Sequence, residues 1–374
     1  MNKIKNILQS IRIEEYILFL FCLILFLFFI TLFFRFNWLV SFRSGFKVVV
    51  LGINYFSFVL IFIYFYISFK YLFNWLYHHN RPKIKNILKN ALFSLRPLFS
   101  MTIFFILITL VIGSMAIQLR GNLIDGWLMG IDKSLLGFYP FLWFQQSTNF
   151  LKNLAPLFLY SFLWLGLIMG ISWIIFYLAG QRKFFSQYIM AMSLVVMIAL
   201  PLWYFFPANS PQNTYLNNVY NKQIDSSIKE LTDNYQPNKY LLSFHKEIGV
   251  EQGEIAPVTT MPSMHVAWTI VIIYYLFKFK RKTIYFTLPW AFFSILGTVY
   301  LAQHYFIDIL VALLVALLAI CLANCLVKIE KRYYQEGKLD NQEKFFKEEV
   351  KKDLSRIYQI IKELFRYFYR VQIW

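Results

Sequence analysis

Apolar runs of about twenty residues recur along this chain, and no other feature limits its fold so strongly. At 1.5 Å of rise per residue, a helix of about twenty apolar residues crosses the roughly 30 Å hydrocarbon core of a bilayer. Such runs fall near residues 14–34, 46–69, 98–119, 154–178, 185–206, 263–277, 283–302 and 305–327. The chain is therefore expected to be all-α: a polytopic membrane helix bundle of about eight transmembrane helices. Composition agrees, with 59% hydrophobic, 21% aromatic and only 15% charged residues. The first run lacks a small-residue cleavage site and is longer than a signal-peptide core, so it is expected to be retained as an anchor.

Charge sets the expected orientation, because Lys and Arg are left on the cytoplasmic side of membrane helices. Residues 1–13, 70–97, 180–184, 278–282 and 328–374 hold 27 of the 37 Lys and Arg. Both termini should then be cytoplasmic. The long 207–261 connection, with six acidic and four basic residues, should lie outside. The net charge of +18 follows from this topology and from anionic inner-leaflet lipids, and it gives no reason to expect nucleic-acid binding. Cys22, Cys321 and Cys325 all fall inside apolar runs, where thiols usually pack against neighbours or lipid.

Three parts can be separated: two N-terminal helices with a basic connection (1–97), a six-helix block (98–328) and a charged tail (329–374). In the tail, Phe346, Val350, Leu354, Ile357, Ile361, Leu364 and Phe368 recur at spacings of three and four, with basic residues between them. This pattern predicts an amphipathic helix, lying on the inner membrane surface or forming a self-association seam.

Two short stretches at neighbouring membrane edges carry the chemistry: Met261-Pro262-Ser263-Met264-His265 and Gln303-His304-Tyr305-Phe306-Ile307-Asp308. Pro262 suits the first turn of a helix capped by Thr259, Thr260 or Met261. The free N–H groups of that turn, with the Ser263 hydroxyl, offer a place for a phosphate oxygen at the positive end of the helix dipole, with His265 beside it. His304 and Asp308, four apart, would share a helix face, so that the carboxylate fixes the imidazole tautomer and leaves the other nitrogen free to attack phosphorus. Each motif alone is short enough to arise by chance. Their agreement on one membrane face, where ionisable residues are costly, gives them weight. The remaining histidines, His78, His79 and His245, fall in connections and are expected to be solvated. A zinc site on His265, His304 and Asp308 finds no further Cys or His cluster to support it, so no metal and no cofactor is expected.

Pro-Ser-Met-His, followed 39 positions later by His-x-x-x-Asp, resembles the second and third signature motifs of the type 2 phosphatidic acid phosphatase superfamily of integral-membrane lipid phosphatases and phosphotransferases. The resemblance covers about 98–328. It implies that His304 becomes phosphorylated, that Asp308 orients it, and that His265 protonates the leaving group and then activates the acceptor.

Two departures stand out. Where the third motif usually begins with Ser-Arg, this chain has Gly297 and Thr298, so the phosphate-gripping arginine is absent. Lys89 and Arg96-Pro97 match the first motif in sequence but fall at the cytoplasmic end of a run, across the membrane from both histidines. The stretch Tyr204 to Pro211, with Asp125-Gly126-Trp127-Leu128-Met129-Gly130-Ile131-Asp132 upstream, resembles the branch containing fungal inositol phosphorylceramide synthase, which moves a phosphorylated head group between lipids. Phosphate would then be held by helix amides, Ser263, Asn209, Gln303 and Arg120 or Lys133. Asp125 and Asp132 would either accept hydroxyl protons of a polyol head group or cap a short interfacial helix.

The function expected is a lipid phosphotransferase moving an inositol-phosphate-like head group to a lipid or alcohol acceptor, with membrane lipids as its partners. Alternatives are a phosphatase acting on phosphatidate or polyprenyl (di)phosphate, and a non-enzymatic transporter or scaffold. The last would need polar residues deep in several spans, and these runs are nearly devoid of them. Usage rich in Lys, Ile, Asn and Phe fits an AT-rich, bacterial genome, which places the protein in a cytoplasmic membrane with its site on the outer face.

Overall fold

The computed structural model describes residues 13–35, 123–146, 153–179, 182–216 and 260–333, with scattered positions in 101–119 and 348–362. Among them there is no β-strand. The helices are α1 (Ile13–Arg35), α2 (Asp125–Leu136), α3 (Pro140–Gln146), α4 (Ala155–Leu163), α5 (Leu165–Leu178), α6 (Arg182–Phe205), α7 (Met264–Phe279), α8 (Ile284–Tyr300) and α9 (Phe306–Tyr333). The 46–69 run, Lys89, Arg96 and most of the tail lie outside the described residues.

Among the described residues, four helical stretches are long and apolar enough to cross a membrane: Ile13–Thr31, Lys183–Phe205, Arg281–Tyr300 and Phe306–Lys328. Counting α4 and α5 as one broken span makes five. The run expected as a span over 154–178 is broken, with α4 and α5 meeting at a bend of 48°. At the bend, the Trp290 indole of α8 donates to the Ser161 carbonyl at 3.0 Å. A side chain that takes up a carbonyl in the last turn of a helix disturbs the regular ladder and kinks it.

The core forms around α6, which packs on α1, α7 and α9, while α8 packs on α4 and α7. Ala312, Ala316, Ala319 and Ala323 make a fully buried line along α9. Small residues at this spacing let helices approach closely where no hydrophobic driving force distinguishes lipid from protein. The opposite face of α9 exposes Leu310, Leu313, Leu314, Leu317 and Leu318, as a lipid-facing surface would. At Gly297, α8 comes close to α4. A Cβ there would sit 2.8 Å from the Phe158 carbonyl oxygen of α4.

The helices run so that the chemistry collects at one end. Glu14 accepts a hydrogen bond from Ser186 at 2.7 Å, and Phe28 meets Tyr204 edge-on with centroids 5.7 Å apart, so α1 and α6 are parallel. The C-termini of α6 and α8 and the N-termini of α7 and α9 then share one end of the bundle. Lys183, Lys278, Lys280, Arg281, Lys282 and Lys328 gather at the other.

Candidate active site

The loop from α8 to α9 places His304. Leu301 N–H closes on Gly297 O at 2.9 Å, Ala302 takes a left-handed φ of 52°, and the amides of Gln303 and His304 both donate to Thr298 O at 2.9 and 3.1 Å. A turn this tight needs a residue in the left-handed region, and here alanine occupies it. His304 therefore precedes α9, which corrects the expectation that His304 and Asp308 lie on one helix. The pair meets anyway, because Asp308 stands in the first turn and folds back.

His304 Nδ1 lies 3.3 Å from Asp308 Oδ2 and 3.1 Å from the Thr260 carbonyl oxygen. Both neighbours can only accept while Asp308 is ionised, so Nδ1 carries the proton, and Nε2 of the neutral ring keeps its lone pair. The histidine side chain is 13% exposed and the carboxylate 0%. Asp308 Oδ2 also accepts from Tyr305 N–H at 2.9 Å. This is the back-bonding half of a capping box, with Tyr305 as cap and Asp308 three residues on. The carboxylate thus secures the helix start and the imidazole together.

Ser263, not residues 259–261, caps α7. Its Oγ accepts from Val266 N–H at 3.4 Å. The expected cap is corrected because Pro262 precedes the helix rather than opening it. His265 then occupies the second helical position. Its ring stacks flat on Phe162, with centroids 4.0 Å apart, and Nε2 is 3.1 Å from Ser294 Oγ. The α7 motif is tied to the α9 motif by Ser263 N–H on Asp308 O at 3.4 Å, and to α6 by Trp203 Nε1 on Pro262 O at 3.4 Å.

Asp125 and Asp132 are buried and point away from their own helix ends. Asp132 Oδ2 and Oδ1 accept from the Phe306 and Ile307 amides at 2.8 and 2.9 Å. Asp125 Oδ1 accepts from Asn209 N–H, Thr214 Oγ1 and Tyr305 Oη, each at 3.0 Å. Burial pushes the Asp132 carboxyl up to about 6, against the pull of the two amides it binds. Burial, then the charge of Asp125, likewise raises the Tyr215 hydroxyl above its ordinary range.

The remaining expected residues fall as follows. Asn209 is fully buried, its Oδ1 accepts from Ser210 N–H at 2.8 Å and Asn213 Nδ2 at 3.3 Å, and its Nδ2 makes no hydrogen bond among the described residues. Gln303 Nε2 donates to Gln212 Oε1 and to Leu301 O, so this amide ties two loops together. Lys133 Nζ lies 5.2 Å over the Tyr139 ring. Arg120 lies outside the described residues. Thr298, at the place of the missing arginine, is fully buried, with Oγ1 on Ile295 O at 2.7 Å. Together with the crowded Gly297, this leaves no room for a long basic side chain.

Sequence reasoning did not single out Phe162, Ser294 or Tyr305, nor the Thr260 carbonyl that holds His304. A buried serine within an apolar run was the available signal for Ser294. A backbone carbonyl has no sequence signal.

A family model described as the PAP2 superfamily matches residues 126–322, a span that holds His265, His304 and Asp308. The match covers more than half of the chain, and the chain belongs to that superfamily, whose members are phosphatases and phosphotransferases acting on lipid-like substrates. Nothing among curated proteins and nothing among solved structures matches the chain.

Proposed function

We propose that this protein is a membrane lipid phosphotransferase that works through a phosphohistidine on His304 Nε2. The observation that carries the reading is the double anchoring of His304 Nδ1 on Thr260 O and Asp308 Oδ2, which leaves the other nitrogen nucleophilic. In the first step the Nε2 lone pair attacks phosphorus, the bond from phosphorus to the lipid oxygen breaks, and protonated His265 gives its proton to the leaving alkoxide. In the second, an alcohol acceptor loses its proton to His265, its oxygen attacks phosphorus, and the N–P bond breaks.

The phosphate is held without the usual arginine. The amides of Met264 and His265 at the positive end of α7, with Asn209 Nδ2, are the donors this reading assigns to it. Arg120 and Lys133 are the cations it assigns to the same face. The substrate we assign is a lipid bearing a phosphorylated, inositol-like head group, in keeping with the Tyr204–Pro211 and Asp125–Asp132 patterns.

The reading also keeps eight transmembrane helices, the division at 97 and 328, cytoplasmic termini with a surface-lying or self-associating tail helix, and a site on the outer face of a bacterial cytoplasmic membrane. The basic end of the bundle, opposite the histidines, supports that orientation.

The test is head-group exchange and phosphate release by purified protein in micelles, across a panel of phosphodiester and phosphomonoester lipids with and without alcohol acceptors. New phosphodiester that vanishes in both His304→Ala and His265→Ala supports transfer. Free phosphate or free head group that vanishes likewise makes the protein a hydrolase. Activity that survives His304→Ala overturns the nucleophile.

A further inference from the structure

Two acidic side chains on α2 are built into the active loop in a way that their sequence pattern does not announce. Asp125 and Asp132 are seven apart, two helical turns, and so share one face of α2. Both are buried, at 2% and 1% exposure, while Trp127 on the far face is 59% exposed. The three residues they hold are consecutive: Tyr305 by its hydroxyl at 3.0 Å, Phe306 by its amide at 2.8 Å and Ile307 by its amide at 2.9 Å. That strip is all that separates His304 from Asp308.

We infer that Asp125 and Asp132 are positioning residues that fix the 305–307 strip, and through it the His304–Asp308 pair, and that they do not bind the head group. The inference rests on His304 being the nucleophile. Three lines carry it.

First, three of the four carboxylate oxygens are engaged, and the fourth, Asp125 Oδ2, is buried. Asp132 uses both of its oxygens on the first two amides of α9, and Asp125 Oδ1 already accepts three donors. An oxygen surrounded by amide and hydroxyl donors at 3 Å has little capacity left for a polyol.

Second, the arrangement explains how Asp125, Asp132 and Asp308 coexist in one buried region. Asp132 and Asp308 face the positive end of α9, and between them they accept the amides of residues 305, 306 and 307. Buried carboxylates are tolerated when donors and a helix dipole compensate them.

Third, the strip has leverage on the chemistry. The 3.3 Å contact between His304 Nδ1 and Asp308 Oδ2 joins a loop residue to the first turn of α9, so its length follows the placement of residues 305–307. Misplacement of a catalytic group by about 1 Å costs on the order of 100-fold in rate. By the same network Asp125 holds Asn209 and Thr214, so α2 sets the distance between the 209–214 wall and the catalytic loop.

The test uses the full-length protein in micelles with Asp132→Asn and Tyr305→Phe. Asn at 132 presents a donor to one of two amide donors, and Phe at 305 deletes one hydroxyl without touching the backbone. For a positioning role we expect kcat to fall about 10–100-fold in Asp132→Asn and less in Tyr305→Phe, up to the loss that a misplacement of about 1 Å causes. KM should change by less than about threefold, and the loss should be equal for donors with and without hydroxyls on the head group. A KM increase confined to polyol donors, with kcat preserved, overturns the inference and returns the aspartates to head-group binding.

Nitrogen chemical shifts of His304 in protein with labelled histidine give a readout that does not depend on turnover. The wild type should show the Nδ1–H tautomer, and Asp132→Asn should show exchange between tautomers. An unchanged His304 signal in Asp132→Asn sinks the positioning role. A correct tautomer response in a protein with no activity on any donor leaves positioning standing and overturns the proposed function instead. If Asp132→Asn fails to fold, Tyr305→Phe decides on the same two readouts.

Discussion

At the scale of single residues, the site depends on what each imidazole nitrogen touches. Asp308→Asn keeps the volume of the side chain but replaces an acceptor with an amide that can donate toward His304 Nδ1. The Nδ1–H tautomer is then no longer enforced, and kcat should fall by about 10²–10⁴-fold, as when the carboxylate behind a catalytic histidine is neutralised. A loss under threefold, measured as head-group transfer in micelles, would separate Asp308 from the chemistry. Gly297 makes a different kind of prediction. Its absent Cβ is what allows α8 to lie against the Phe158 carbonyl, so Gly297→Ala forces the helices apart. Overpacking of this kind costs about 1–3 kcal/mol, readable as a lower thermal aggregation midpoint in detergent. An unchanged midpoint would mean that α4 gives way freely.

At the scale of elements, the same residues show what the sequence disclosed and what it withheld. The apolar lengths of α1, α6, α8 and α9 were legible because bilayer thickness and helical rise leave little choice. The bend after α4 was not, since its cause is an indole on α8, 129 positions away. His304 and Asp308 were legible as a pair, but not the turn that joins them. Spacing of four reads as one helix face, whereas here Ala302 and the Thr298 carbonyl reverse the chain first. Ser263 was legible as a site residue but not as the cap, because Pro262 has two favoured places near a helix start and local pattern cannot choose between them.

Asp132 was visible as an acidic residue of α2, and its partners on α9 were hidden by a separation of 174 positions. The start of α9 carries a pH dependence for that reason. Asp132 titrates at about 6 in the fold and nearer 4 in an unfolded chain. Between these values the native state holds a proton that the unfolded chain lacks, so stability contributed by this group is full below about pH 4 and is lost as pH rises through 6. The wild-type melting midpoint should therefore fall from pH 5 to pH 7 more than that of Asp132→Asn. Parallel profiles for the two proteins would remove Asp132 as the source.

At the scale of the whole molecule, helix direction and charge agree. The site lies at the end where α6 and α8 finish and α7 and α9 begin, and Lys278, Lys280, Arg281 and Lys282 lie at the end where α7 turns into α8. With the three native cysteines replaced, Lys282→Cys should react with a membrane-impermeant maleimide only in inside-out vesicles, and Ser134→Cys on α2 only in right-side-out cells. The reverse pattern would place the histidines on the cytoplasmic face and overturn the orientation. The PAP2 superfamily, whose members are phosphatases and phosphotransferases, is why an enzyme accounts for this chain better than a transporter does.

The most direct test of the central claim is to trap the intermediate. Purified protein in micelles is mixed with lipids radiolabelled at phosphorus, quenched within the first turnover and separated from lipid. The account predicts label bound to protein, stable in alkali and released by acid as a phosphoramidate is, present in the wild type, retained in His265→Ala once formed, and absent in His304→Ala. Label that persists in His304→Ala, or product that forms without any labelled protein on the time scale of one turnover, would contradict it.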